Sequence, residues 1–347
     1  MVLTGSSRRG ARIAASLSAF TLALSGVAAA QVAAPPDAQA GGIIARTDAD
    51  GDVRLTSEAA IVSLKDGQEQ IDLQLSLAAA VPSIGFIVPT PAPATVSVGT
   101  FIEFTFITNE MQPQTNTSDE WWRSEPASTA STVTPTADPT RIQLGPVEAT
   151  ALAASDVDGL NAWLAANAYV LPAGATDVLA GYAARGWSFV AMKLTADKPL
   201  SGELVPIRLN FAAEEMVYPL LASTAGTGAW SLNLYTIADH RQTVTYADGT
   251  SVTHSVTWAR QIRNGSLLLR GSYLTAINLQ FTGPGAIKGD LRIAQAPSDA
   301  EVGTVVENHQ YWGLFGIPLG RLLVGFAIGV GVVILVLTLL PSFRRRK

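Results

Sequence analysis

Three reactive side-chain types stand together at residues 239–241: the carboxylate of Asp239, the imidazole of His240 and the guanidinium of Arg241. Such groups can do general acid–base chemistry when each lies at hydrogen-bond distance from its partner and one carries a shifted pKa. This trio follows an alternating run, and adjacent residues on a strand point to opposite faces. The three are therefore not expected to converge, and they read as a weak polar cluster, a turn held by its Asp and Arg. The other two histidines, His254 and His309, are isolated, and no helix carries a histidine pair at metal-binding spacing.

Asp48, Asp50 and Asp52 resemble the start of a calcium loop. A hand-type loop needs glycine sixth and glutamate twelfth, and those places hold Val53 and Ala59. The run reads as a polar turn. Neither a Gly-Lys-Ser/Thr phosphate loop nor a Gly-x-Ser-x-Gly elbow occurs. The sequence thus assigns no catalytic, cofactor-binding or metal-ligating residue and implies no cofactor. Two pairs suggest contact instead. Trp121 and Trp122 sit in a Ser/Thr/Pro-rich stretch, and the sequence leaves open whether they form an exposed contact site or tuck back onto a core. Gly325 and Gly329 form a small-xxx-small pair that lets two membrane helices approach closely.

The ends of the chain set where any such residue would work. Arg8, Arg9 and Arg12 precede an apolar run from Ile13 to Val27 and then Ala28-Ala29-Ala30, the pattern of a cleaved signal peptide over residues 1–30. Ala38-Gln39-Ala40 is a second possible cleavage motif, but it sits far behind the apolar run. At the other end, Leu322–Leu340 is an uncharged apolar run long enough to cross a bilayer, within a predicted helix over 314–341. The basic tail of 342–347, with Arg344, Arg345, Arg346 and Lys347, prefers the cytoplasmic side, and Tyr311 and Trp312 suit the opposite interface. The expected topology is single-pass, with the body outside the cytoplasm.

Composition narrows the classes further. With both ends removed, the body keeps 15 basic residues against 28 acidic ones, a net charge near −13. That excludes nucleic acid as a partner and argues against docking on anionic lipid headgroups. The absence of cysteine excludes disulfides, thiolate metal sites and a cysteine nucleophile.

Between the ends, residues 31–42 read as a disordered lead-in and 43–295 as one strand-rich domain. Runs 58–64 and 70–77 flank Lys65-Asp66-Gly67-Gln68, and strict alternation about an Asp-Gly turn predicts a hairpin. Strands are also predicted at 84–88, at the aromatic run FIEFTFIT of 101–108, and at 187–194, 203–211, 230–237, 242–246, 251–258 and 273–281. Ala247-Asp248-Gly249-Thr250 predicts a second hairpin turn. Residues 110–140 read as an exposed loop, 156–185 as a helical insert capped by Asp156 or Asp158 and stopped by Gly186, and 296–313 as an irregular juxtamembrane segment. Pro89, Pro91 and Pro93 lack N–H donors, which places them at a sheet edge or a crossover between sheets. The predicted fold class is mainly β with a helical insert, an antiparallel two-sheet domain plus one C-terminal transmembrane helix.

"SIGFIVPTPAPATVSVG", "LNAWLAANAYVLPAGATDVLAGYAARGWSFVAMKL", "GELVPIRLNFAAEEMVYPL" and "YTIADHR" together resemble domain-of-unknown-function family 2330 of exported bacterial proteins. The resemblance runs from Gly41 to Arg241. It implies a signal peptide, one domain and a C-terminal anchor, and it implies no chemistry. One departure is that Ala40 precedes Gly41-Gly42 where the family pattern has a cysteine. The expectation is a membrane-anchored binding or envelope module of unknown ligand, with a homodimer or a membrane-protein partner open. The alternatives are an envelope hydrolase with an unrecognised carboxylate site and an accessory subunit of another membrane protein.

Overall fold

The computed structural model describes residues 41–47, 53–120, 141–142, 148–153, 156–303, 305–311, 313–314 and 317–343. The signal-peptide stretch, the 48–52 aspartate run, Trp121, Trp122, Trp312 and the Arg344–Lys347 tail lie outside the described residues.

The central ribbon is the predicted hairpin. Strands β2 (Val53–Lys65) and β3 (Gln68–Ala79) pair from Lys65↔Gln68 to Val53↔Ala79, with a register shift between Leu55 and Ser57. Asp66 and Gly67 take φ of 52° and 73°, and two positive φ values give the turn whose twist matches the flanking strands. Period-2 alternation then sorts the ribbon. Leu73, Leu75 and Leu77 face one way, while Gln70, Asp72, Gln74 and Ser76 face the other.

Around this ribbon grows a nine-stranded sheet. On one side, β2 pairs in parallel with β13 (Trp230–Ala238), followed by β16 (Tyr273–Phe281) and β15 (Ser255–Gln261). On the other side, β3 pairs with both β10 (Gly202–Leu204) and β11 (Ile207–Ala212). The outer neighbours there are β7 (Arg141–Ile142) and β5 (Thr95–Val98). A four-stranded antiparallel sheet has the order β1 (Ile43–Ala45), β4 (Ser83–Thr90), β9 (Ser188–Thr195), β8 (Glu148–Leu152). Strands β12 (Met216–Tyr218), β17 (Leu291–Gln295) and β14 (Gln242–Tyr246) form a third sheet. Two small pairs complete the set: β6 (Gln114–Glu120) with β18 (Val305–Tyr311), and β19 (Gly313–Leu314) with β20 (Ile317–Pro318). The chain is mainly β and mostly antiparallel, as expected, but among the described residues it forms five sheets rather than two.

Three apolar clusters hold the layers together. The largest packs Leu73, Leu75, Leu209, Leu232 and Leu234 of the nine-stranded sheet against Ile84, Phe86, Val190 and Met192 of the four-stranded one. Truncating one of these leucines to alanine would cost about 2–5 kcal/mol. The opposite face of the four-stranded sheet, through Ile43, Ile87 and Phe189, carries two helices, α2 (Val157–Ala166) and α3 (Ala175–Ala184). Asp156 caps α2 by accepting from the Gly159 N–H at 2.8 Å, and Gly186 follows α3 with a φ of 81°. The opposite face of the nine-stranded sheet packs Ile61, Ile237, Trp258 and Leu274 beneath a further helix.

That further helix corrects one expectation. The run 101–108, predicted as a strand, lies in a helix, Phe101–Glu110, numbered α1 in chain order. Phe104, Ile107 and Glu110 are its buried residues, at a helical spacing of three. The hydroxyls of Thr105 and Thr108 bond back to the carbonyls of Phe101 and Phe104. Packing of that face overrode the strand propensity of its aromatic and β-branched residues.

Two further readings change. The 247–250 turn forms, with the Tyr246 N–H on the Thr250 carbonyl, but its flanks part. Strand β14 joins β17, and β15 joins β16. The 203–211 strand is broken at Val205-Pro206 into β10 and β11, because Pro206 has no N–H for a ladder. The Pro89–Pro93 stretch divides: Pro89 lies inside β4, an inner strand, opposite Phe189 of β9, and only the residues beyond Thr90 make the expected crossover. Strand β4 ends at Thr90, and Pro91–Ala94 crosses from the four-stranded sheet to β5 in the nine-stranded one. Finally, α4 (Leu319–Phe343) is long and apolar enough over Leu319–Thr338 to cross a membrane, and it carries Gly325 and Gly329 in open surroundings.

Candidate functional site

The polar face of the central ribbon is partly roofed by α1, and a groove of about 220 Å³ lies under that roof. Its floor comes from neighbouring strands: Ser57 and Ala59 on β2, Gln74 and Ser76 on β3, Asn233 and Tyr235 on β13, and Glu203 on β10. Phe104 and Thr108 of α1 form its lid. The register explains the grouping, since Ser57 lies opposite Ser76 and Ala59 opposite Gln74 on one side of the pleat. Gln74 Nε2 reaches Glu203 Oε2 at 3.4 Å, and Asn233 Oδ1 accepts from Asn278 Nδ2 at 2.9 Å. Tyr235 stands edge-on to Phe104, with ring centroids 6.5 Å apart. Burial raises the Tyr235 hydroxyl above its ordinary pKa, so it remains a donor through neutral pH.

Next to the groove, four charged side chains lock α1 to the sheet. Asp72 of β3 accepts from Arg208 Nε at 2.6 Å and from Arg270 Nη1 at 2.7 Å. Glu103 of α1 takes Arg208 Nη2 at 2.5 Å and Arg270 Nη1 at 3.2 Å. Two guanidiniums thus bridge the same two carboxylates. At the far end of α1, Glu110 accepts from the Arg263 and Asn264 N–H groups. The lid is therefore fixed at both ends.

The Asp239-His240-Arg241 trio lies elsewhere, in the surface turn between β13 and β14. Two of its members, His240 and Arg241, are gathered by a residue the sequence did not single out. Asp299 meets His240 Nδ1 at 2.8 Å and accepts from the Arg241 N–H at 2.9 Å, while Arg241 Nη1 donates to the Ala300 carbonyl. His240 and Asp299 are both about half exposed, at 51% and 46%. The trio forms a clamped turn outside the groove. No group of three or more His, Cys, Asp and Glu able to hold a metal occurs among the described residues. A smaller apolar cleft of about 60 Å³ lies between α2 and α3, against Leu160, Leu179 and Phe189.

Sequence reasoning missed the groove. Its residues fall on the polar half of alternating strands, which reads as an ordinary solvated face. The one available signal was chemical. The polar half of β3 is Gln70, Asp72, Gln74 and Ser76, two amides, a carboxylate and a hydroxyl where a plain outer face would carry lysine and glutamate.

A mainly β body of layered sheets with one apolar C-terminal helix defines the class, and a groove of amides and hydroxyls is its most distinctive described surface feature. The chain belongs to the DUF2330 family of uncharacterized proteins conserved in bacteria, whose model matches residues 34–294. The match runs past Arg241, where the recognisable motifs end, and includes β13 to β17. No curated protein matches the chain. Among solved structures, the crystal structure of baculovirus P35 aligns with a TM-score of 0.40 at 7% identity, over 71% of this chain and 98% of that one. A likeness that weak carries no argument about fold or function.

Proposed function

We propose that the chain is a non-catalytic binding module held on the outer side of a bacterial membrane by α4, and that the groove under α1 takes a hydroxyl-rich ligand, a saccharide unit of envelope material. The lining of the groove carries this reading. Gln74, Asn233, Ser57, Ser76 and Thr108 offer neutral donors and acceptors, Glu203 offers one carboxylate, and Tyr235 and Phe104 offer ring surface. These are the groups that match a ring of hydroxyls, and the acidic body disfavours a phosphate or nucleic-acid ligand. At about 220 Å³ the groove is smaller than the roughly 300–1,000 Å³ of a drug-sized site, which suits one sugar unit of a longer chain. Hydrolysis of such a chain uses two convergent acids. Glu58 also borders the groove, but its carboxylate is buried and engaged by Tyr218 and Gly41, which leaves Glu203 as the available acid.

The test titrates the detergent-solubilised full chain with soluble peptidoglycan fragments and chitooligosaccharides. Binding that falls at least about tenfold in Glu203→Gln and in Asn233→Leu, with the fold intact, is expected from losing one paired polar contact. Wild-type protein that binds none of these probes, or variants that bind equally well, would sink the reading. Topology has its own check, because the chain has no native cysteine. A membrane-impermeant maleimide should label Ser266→Cys on intact cells and Ser342→Cys only after lysis. The reverse pattern overturns the orientation.

A further inference from the structure

Gly41 and Glu58 form a contact whose chemistry is incomplete in an uncut chain. The Gly41 nitrogen lies 3.0 Å from Glu58 Oε1 and 3.3 Å from Oε2, facing both oxygens at once. A peptide N–H has one hydrogen to divide between them, whereas an ammonium has three. The other donor is the Tyr218 hydroxyl, 2.5 Å from Oε1 and itself fully buried. Glu58 is 1% exposed, and burial pushes its carboxyl up to about 7 against the pull of these two neutral donors. Three other buried acids, Asp72, Asp290 and Glu110, each meet an arginine. Among the described residues no ion pair includes Glu58, which meets a main-chain nitrogen where those three meet a guanidinium; Glu69 is the other buried acid met by a main-chain N–H.

We propose that the exported chain is cut between Ala40 and Gly41, and that the α-ammonium created on Gly41 closes a buried ion pair with Glu58. Water supplies the hydroxyl that completes the Ala40 carboxylate and the hydrogen that completes the Gly41 amine, which then takes a further proton. The peptidase is of the class that removes signal peptides. Ala38-Gln39-Ala40 provides small residues at the first and third places before the cut. On the other side, both glycines are required by close packing. A Cβ on Gly41 would lie 2.4 Å from the Tyr218 hydroxyl oxygen, and one on Gly42 would lie 2.7 Å from the Phe86 ring. Gly41 is buried, and β1 starts two residues later, so the nitrogen is held in place by the sheet. The consequence is maturation-dependent stability. A chain that keeps its leader buries a carboxylate without a counter-charge, and removal of the leader provides that charge.

The first measurement is the N-terminal residue of the full chain isolated from bacterial membranes. Gly41 is expected, and a start at Gln31 or anywhere else overturns the proposal. The second compares unfolding of the chain beginning at Gly41 with one that retains Ala40 ahead of it. The retained peptide bond keeps the N–H but removes the charge. It should shift the unfolding equilibrium by about a hundredfold or more, as expected for a broken buried pair. An unchanged equilibrium would show the contact to be an ordinary hydrogen bond and would overturn the ion pair. Glu58→Gln closes the cycle, since its penalty should vanish when Ala40 is retained. If that variant does not fold, the pH profile decides. The Ala40-retaining chain should show a carboxyl titrating near 7, and the chain starting at Gly41 should not. The same titration in both would overturn the pairing.

Discussion

The β2–β3 ribbon buries acids on both of its faces and treats them in opposite ways. On the face under α1, Asp72 is 1% exposed and meets two guanidiniums. On the face toward the four-stranded sheet, Glu58 and Glu69 are equally buried among leucines and meet only neutral donors. The difference lies in what each face can reach. Arg208 of β11 and Arg270, just before β16, converge over the polar face, while the partners of Glu58 and Glu69 are main-chain nitrogens and a tyrosine hydroxyl. A paired buried charge fixes geometry and is costly to break, whereas an unpaired one gives up its charge. Glu69 shows the second outcome. One oxygen accepts from the Val217 N–H at 3.0 Å, and the other has no partner. Burial, with the nearby Glu215 carboxylate adding a smaller push, raises its carboxyl to about 9.

The largest expected effect is on the paired face. Asp72→Ala strands Arg208 and Arg270 in a half-buried pocket and should cost about 3–5 kcal/mol, read as a fall in the urea midpoint. Glu103 still holds both arginines, so the value belongs at the lower end of that range. A loss below 1 kcal/mol would mean that Glu103 alone suffices, and the contrast between the faces would fail.

The next effect has the opposite sign. In the folded chain Glu69 keeps its proton up to about pH 9, while an unfolded glutamate releases it near 4.5. Between those values the unfolded state binds fewer protons than the native one. Stability therefore falls as pH rises, by about 1.4 kcal/mol per unit, and stops falling above pH 9. Glu69→Gln keeps the acceptor for Val217 and removes the ionisation, so the decline should flatten. Near pH 7 the gain is about 3 kcal/mol, less the cost of burying an amide N–H₂ without a partner. Denaturation midpoints at pH 5 and pH 8 for wild type and variant decide it. A wild type as stable at pH 8 as at pH 5 would show that Glu69 ionises freely.

These two faces also mark how far the sequence could be read. The alternation of Ile71, Leu73, Leu75 and Leu77 about an Asp-Gly turn identifies the hairpin, and Asp156, Leu160 and Leu164 identify α2, because both patterns are local. Asp72 looks like one more outward polar residue in that alternation. Its partners come from 136 and 198 residues away. Glu58 and Glu69 bound predicted strands, and their burial depends on which sheet lands on them. The α1 error has the same origin. FIEFTFIT has strand-like composition, and its helical face becomes visible only once Phe104 and Ile107 have a sheet to cover. The groove was illegible for a related reason, since its floor combines β2, β3, β10 and β13 through pairings that no short window contains.

The smallest effect comes from an exposed version of the same chemistry. Asp299 holds the 239–241 turn through His240 Nδ1 and the Arg241 N–H, with the ordinary hydrogen-bond lengths of the buried sites. The His240 hydrogen bond, and then the Arg241 N–H, hold its carboxyl below the usual carboxylate range. A lowered folded pKa adds stability above the unfolded value, which is lost as pH falls through the folded one. Both partners, however, lie in water, where an ion pair loses its Coulomb gain to screening and to the ordering of the side chains. Asp299→Ala should leave the urea midpoint at neutral pH unchanged within error, while the amide signals of residues 239–241, followed by NMR, shift as the clamp on the turn is lost. A loss comparable to that of Asp72→Ala would show that distance alone governs these contacts. A local change in the turn with no global loss would show instead that burial decides whether an acid of this chain matters to its fold.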